Sequence, residues 1–268
     1  MNFCDYELTG KSRFFLIAGP CVIESRDLMM RTAEAVKAIA RRLNIHCIFK
    51  SSYDKANRSS LSSYRGPGLD AGLAVLDEIK REFDLPVTTD VHAVDEIAAV
   101  REIVDLIQIP AFLCRQTDLL IGAAKTGLPV NVKKGQFVAP ADMEHVIEKL
   151  RSTGCQSYAV TERGYTFGYN NLVVDMRSLG IIRSLGVPVI FDATHSVQLP
   201  GGGKETGGER AFVPLLARSA VAAGIDGLFM EVHPDPEKAL CDRSNQYPLE
   251  SIEALLRVLL EIDAVVKR

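Results

Sequence analysis

The sequence predicts an α/β fold, a (β/α)8 TIM barrel built as a single domain over residues 1–268. Three observations predict it. Eight short runs rich in β-branched and other apolar residues alternate with longer amphipathic stretches, the rhythm of repeated β-α units. The length of 268 residues suits that barrel, and no linker or composition break divides the chain. Finally, polar residues suited to catalysis gather at the C-terminal ends of the runs, the face on which such barrels carry their sites. An open doubly wound sheet is the competing arrangement. It usually carries a glycine fingerprint after its first strand, and "GPCVIES" at 19–25 supplies none.

Residues 1–13 read as a short N-terminal hairpin capping the bottom of the barrel. Strands are expected at 14–19, 47–52, 86–91, 106–111, 129–133, 158–162, 188–194 and 227–232. Three open on the same phrase: Leu85-Pro86-Val87, Leu128-Pro129-Val130 and Val187-Pro188-Val189. Proline is tolerated at a strand's first residue because its missing N–H is not yet needed by the ladder. Helical periodicity fills the gaps. After Ala139-Pro140, the residues Met143, Val146, Ile147 and Leu150 share one face, and Gly154 ends the segment. Ile252, Leu255, Leu256, Leu259 and Leu260 repeat that spacing at the C-terminus.

Composition narrows the function. A net charge of −3 with no strongly basic stretch argues against a nucleic-acid partner. The apolar run 14–23 is too short for a bilayer and lacks the layout of a signal peptide, so the expectation is a cytoplasmic protein with no membrane association. Six scattered cysteines, with no Cys-x-x-Cys pair, read as reduced thiols. "TGKS" at 9–12 imitates the end of a P-loop, but Asp5 stands where the motif needs its first glycine and no suitable strand precedes it, and His46 and His145 read as structural or solvated.

At the strand ends two chemistries are legible. "KSSYDKANRSS" (50–60), "VKKGQF" (132–137) and "ERGYTFGY" (162–169) send lysines and arginines from three strand ends toward one cleft, enough cation for two anionic groups. Taken singly, each is equally an ordinary surface charge. Cys21, His195 and Glu231, from the first, seventh and eighth strands, together with Asp242 in the following loop, meet over one sector if the barrel closes. Sulfur, imidazole and two carboxylates suit Zn²⁺, Fe²⁺, Mn²⁺ or a similar ion. No short-range ligand spacing supports this, and a buried cysteine serves as readily as a small hydrophobe. The segment 196–210 reads either as a floppy Gly-rich loop or as a cover over substrate.

"KANRSS", "IPAFLCRQTDLL", "NVKKGQF", "FGYNNLVVDMR", "FDATHSVQ" and "EVHPDPEKALCD" together resemble the 3-deoxy-D-manno-octulosonate 8-phosphate synthase family, from about residue 14 to the C-terminus. The resemblance implies a homotetrameric barrel condensing phosphoenolpyruvate with D-arabinose 5-phosphate, in the Kdo branch of lipopolysaccharide synthesis. It implies no organic cofactor. Cysteine after the Gly-Pro turn marks the metal-dependent class, so Cys21, His195, Glu231 and Asp242 are the implied ligands of one divalent ion per chain, Zn²⁺, Fe²⁺, Mn²⁺ or Co²⁺. Arg243 departs from the glycine that commonly follows the Cys-Asp pair. Lys50, Lys55, Gln108, Lys133 and Arg163 match the phosphoenolpyruvate site, with Ser52 beside it. Asn57, Arg58 and Ser59 match the grip on the sugar phosphate, and Arg115 is implied to reach a neighbouring subunit's sugar phosphate. Lys55, Asn57, Asp90, Lys133 and His195 are the implied catalytic residues.

Three readings compete. The sister synthase that uses erythrose 4-phosphate typically has Lys-Pro-Arg where this chain has "KANRSS". A Schiff-base aldolase would use a desolvated Lys133 or Lys134, whereas two adjacent cations suggest anion binding. A catalytically dead sensor should have lost residues from the ring, and none is missing.

Overall fold

The computed structural model describes residues 1–58, 60–166, 169–201 and 207–268. Eight parallel strands form the barrel: β1 (Phe15–Gly19), β2 (Cys47–Lys50), β3 (Val87–Asp90), β4 (Leu106–Ile109), β5 (Val130–Lys133), β6 (Tyr158–Glu162), β7 (Val189–Asp192) and β8 (Gly227–His233). Each pairs with the next, and β8 pairs with β1 in the register Gly227↔Phe15 to Glu231↔Gly19, so no edge is left open. Each expected strand is present: six are trimmed by one or two residues at an end, where flanking prolines and loop residues make no ladder pairs, β6 keeps its expected bounds, and β8 runs one residue further, to His233.

The helices follow in turn: α1 (Arg26–Leu43), α2 (Leu69–Phe83), α3 (Ile97–Val100), α4 (Thr117–Ala124), α5 (Met143–Arg151), α6 (Arg177–Ser184), α7 (Val213–Ala223) and α8 (Leu249–Val266). In α1, Ser25 caps the N-terminus by accepting from the Leu28 N–H at 3.3 Å, and Asn44 ends it in the left-handed conformation with φ 50°. Its buried stripe, Met29, Ala33, Val36 and Ala40, faces the barrel wall. Met143, Val146, Ile147 and Leu150 are all buried on α5, as their spacing requires.

Inside the barrel, strand alternation sets two layers. Ile48, Leu106, Ala159, Ile190 and Phe229 form an apolar lower layer. Two residues further along the same strands stand Lys50, Gln108, Thr161, Asp192 and Glu231, all buried. The N-terminal hairpin, Asn2–Phe3 paired with Tyr6–Glu7, closes the bottom by inserting Phe3, whose ring lies 5.2 Å from that of Phe15. His46, at the start of β2, stacks on Tyr6 of this hairpin at 5.0 Å, a structural role. Gly19 is required at the top of β1: a Cβ there would lie 2.0 Å from the Lys50 carbonyl oxygen. That close approach brings Cys21, just beyond it, against the end of β2.

Candidate active site

A cavity of about 480 Å³ opens at the C-terminal ends of the strands. Lys50, Lys55, Asn57, Arg58, Asp90, Gln108, Lys133, Arg163, His195 and Asp242 all line it, as the sequence reading expects of strand-end residues. Beneath them, Cys21, Ser52 and Glu231 are wholly buried. Arg115 is exposed and does not line this chain's cavity. Ser59 and part of the 196–210 segment lie outside the described residues.

The floor is a network of charges. Lys50 Nζ donates to Ser52 Oγ at 2.9 Å and to Glu231 Oε1 at 3.2 Å, and Ser52 Oγ donates to Asp90 Oδ1 at 2.5 Å. Lys55 Nζ stands 3.6 Å from the same Glu231 oxygen. Burial alone would raise the Glu231 pKa, but His195, Lys55 and Lys50 outweigh it and hold the carboxyl at about 2. Asp90 is likewise held well below the carboxylate range: burial opposes ionisation, and Lys50 together with the His92 hydrogen bond wins. His92 meets Asp90 at 3.1 Å and is itself fixed by Glu96, which accepts from the His92 N–H at 2.7 Å and from the Tyr53 hydroxyl at 2.6 Å.

On the opposite wall, Lys133 Nζ is bonded to Asp192 and sits 3.1 Å from the centroid of the Phe229 ring. Burial lowers its pKa to about 8, against the attraction of Asp192. Its sequence neighbour Lys134 faces away from the cavity, lying 3.6 Å over the Tyr165 ring and 3.6 Å from Glu162. The adjacent lysines are therefore not one anion-binding pair. Lys133 also has the desolvation a Schiff base needs, so adjacency does not exclude that chemistry. Arg163 is buried, donates through Nη2 to Gln198 Oε1 at 2.6 Å, and leaves Nη1 without a partner among the described residues. Gln108 is held by Asn131, whose Nδ2 donates to it at 3.1 Å.

The metal candidates converge at the β8–β1–β7 sector. His195 Nδ1 meets Asp192 Oδ2 at 2.7 Å, which aims Nε2 at Glu231 Oε1 (3.6 Å) and Asp242 Oδ2 (3.7 Å). A carboxylate on the far nitrogen is the usual way of orienting an imidazole ligand. Asp242 Oδ2 lies 3.7 Å from Cys21 Sγ, so this carboxylate links the sulfur to the imidazole. Glu231 Oε2 is buried with no hydrogen-bond partner among the described residues. An unsatisfied buried oxygen beside sulfur, imidazole and a second carboxylate fits a divalent cation. Asp242 reaches the cluster from a left-handed backbone (φ 46°), with Arg243 following it.

Sequence reasoning left out several site residues. Asp192 is at once the partner of Lys133 and of His195; its position at a strand end was legible, its double role was not. His92 ended the third strand and was also legible there. Gln198, which donates to Asp242 Oδ2 at 3.1 Å, closes the motif "FDATHSVQ" but was assigned no role there, and Phe229 carried no motif signal. Cys241 was visible only as the neighbour of Asp242.

The family model described as the DAHP synthetase I family matches residues 6–268. A 2-dehydro-3-deoxyphosphooctonate aldolase of Aromatoleum aromaticum is 60% identical, with 100% of this chain and 97% of that protein aligned. The protein of the same name from Syntrophobacter fumaroxidans is 58% identical over 98% of this chain and 93% of its own length. That of Acidithiobacillus ferrooxidans is 58% identical, covering 100% and 95%. With a full-length match of this kind on a closed barrel, the chain belongs to the DAHP synthetase I family.

Proposed function

We propose that the cleft condenses phosphoenolpyruvate with D-arabinose 5-phosphate and water, giving 3-deoxy-D-manno-octulosonate 8-phosphate and phosphate, the step that feeds Kdo and lipopolysaccharide synthesis. The observation that carries this reading is the division of one cavity between buried cations, Lys50, Lys133 and Arg163, and a sulfur-imidazole-carboxylate cluster. The relatives' shared name, 2-dehydro-3-deoxyphosphooctonate aldolase, supports it over the sister synthase acting on erythrose 4-phosphate.

Phosphoenolpyruvate brings carboxylate and phosphate. Arg163, with its unpartnered Nη1, together with Lys133, Lys50 and Lys55, matches such a double anion. Asn57, Arg58 and Ser59 take the sugar phosphate. Carbon 3 of the enol ether attacks the aldehyde, water adds to carbon 2, and phosphate leaves. Fixed charges serve this reaction by stabilising the positive charge at carbon 2 and the growing alkoxide. Asp90, kept ionised, is suited to offset the first; Lys133, whose pKa of about 8 lies near neutrality, is suited to handle a proton at the second. His195 carries its ring nitrogen toward the metal cluster with its other nitrogen held by Asp192. Cys21, His195, Glu231 and Asp242 would hold one divalent ion, Zn²⁺, Fe²⁺, Mn²⁺ or Co²⁺, which would supply Lewis acidity there.

Phe112, 55% exposed at the cavity mouth, and exposed Arg115 beside it support a homotetramer in which Arg115 reaches a neighbour's sugar phosphate. Among the described residues no helix is long and apolar enough to cross a membrane, and we read the enzyme as cytoplasmic. Phosphate release should be measured with arabinose 5-phosphate and erythrose 4-phosphate, before and after chelator treatment. Equal turnover of the two sugars would move the activity to the sister enzyme. With the bridging oxygen of phosphoenolpyruvate labelled, the label should leave in phosphate; label kept in the sugar would mean attack at phosphorus. Borohydride trapping of Lys133 with substrate would instead establish the Schiff-base aldolase.

A further inference from the structure

We propose that Cys241 is a second sulfur donor of the metal site, so that a soft divalent ion is held between two thiolates, Cys21 and Cys241. The inference rests on reading the cluster as a metal site. It goes beyond that reading because it changes which ion the site selects.

Cys241 Sγ lies 2.7 Å from Cys21 Sγ, with both side chains buried. The ligand atoms of Cys21, Cys241 and Asp242 lie within 4.8 Å of one another, and so do those of His195, Glu231 and Asp242. Asp242 thus joins a two-sulfur half to an imidazole-carboxylate half. The pairing of the sulfurs is built into the backbone. Gln246, itself fully buried, accepts from the Cys21 N–H at 3.2 Å and donates to the Cys241 carbonyl at 2.9 Å, clamping both cysteines to one side chain. Asp242 adopts φ 46°, a conformation that L-residues other than Asn and Asp avoid. That left-handed turn lets two consecutive side chains, Cys241 and Asp242, serve the same cluster. The Asn245 and Gln246 N–H groups hold it by donating to the Asp242 carbonyl at 2.9 and 3.1 Å.

A cation also faces the second sulfur. Arg58 Nη1 donates to Cys241 Sγ at 2.9 Å and lies 3.7 Å from Asp242 Oδ1, and a guanidinium favours an anionic acceptor. On binding, each S–H bond is replaced by a sulfur–metal bond and its proton leaves to solvent, so two thiolates release two protons. Two soft donors favour Zn²⁺ or Cd²⁺ over hard ions such as Mn²⁺ more strongly than one does.

X-ray absorption at the zinc edge of the zinc-loaded wild-type protein, kept reduced, counts the sulfurs directly and needs no variant. Two sulfurs are expected, falling to one in Cys241→Ser. The same variant should lose at least about tenfold in Cd²⁺ affinity, with a smaller loss for Mn²⁺. A single sulfur in the wild type, or two retained in Cys241→Ser, overturns the inference while leaving the metal reading standing. A wild-type protein that takes up no divalent ion overturns both.

Discussion

The two ends of the barrel are made from the same strands and held by opposite means. Below, Phe3, Phe15, Ile17, Ile48 and Phe229 fill the interior with hydrocarbon. Above, two residues along in several strands, the interior is ionic: Lys50 with Glu231, and Lys133 with Asp192. Burying hydrocarbon is favourable at each contact. A buried charge is tolerated only while its partners remain, because its desolvation is compensated by nothing else. The bottom should therefore govern stability, and the top should govern rate and selectivity.

The sharpest way to break that division is at the bottom. Phe15→Ala removes a fully buried ring packed against Phe3, and should cost about 3–5 kcal/mol of stability. The folded variant should keep its KM values, as read by denaturant titration alongside initial rates. A large KM change with little loss of stability would erase the distinction between the ends.

Lys133→Met tests the top. It replaces a desolvated ammonium with an apolar chain of similar length, while Asp192 keeps its bonds from His195 Nδ1 and from the Thr194 and His195 N–H groups. The rate should fall about 10²–10³-fold, as when one electrostatic donor is lost from an active site. Thermal stability should change far less than in Phe15→Ala. Comparable unfolding of the two variants would show that Lys133 is structural.

Arg58→Ala probes the cavity wall, where Nη1 meets Cys241 Sγ at 2.9 Å and Asp242 Oδ1 at 3.7 Å. KM for arabinose 5-phosphate should rise about ten- to a hundredfold, the loss of one charged hydrogen bond, and KM for phosphoenolpyruvate should rise much less. Equal changes in both would remove Arg58 from the sugar-phosphate grip.

His92 should give the smallest effect. Burial pulls its pKa down, but the hydrogen bond to Asp90 and the charges of Asp90, Glu96 and Asp54 raise it above the ordinary value. A raised histidine pKa means that the native state binds the proton more tightly than the unfolded chain does. Its contribution is then complete below about pH 6.5 and is lost as pH rises through the native pKa. The stability difference between wild type and His92→Gln should accordingly be larger at low pH than at high pH. The opposite trend would mean that His92 is held neutral.

Much of this was legible before the fold was known. The β-branched runs and their proline openings located all eight strands. Period-two alternation then obliges Lys50 and Asp192 to share the face of Ile48 and Ile190. What resisted reading depends on directions set by packing. Lys133 and Lys134 are chemically identical neighbours, and the strand's alternation sends one into the cavity and the other under Tyr165. Cys241 was legible only as the first member of the Cys-Asp pair. Only a left-handed turn and the Gln246 clamp bring its sulfur against Cys21, 220 residues away in sequence.

By itself, the sequence determined the barrel, the end that carries the site, and the residue types available there, because hydrophobic periodicity and chain length are local quantities. Tertiary structure alone decided which charge pairs with which. Asp192 serves both Lys133 and His195, Glu231 both Lys50 and Lys55, and Asp242 both groups of candidate metal ligands. Those pairings arise from barrel closure, which sets β8 beside β1 and β7 in a fixed register, and electrostatic partnership falls off with distance in space rather than along the chain.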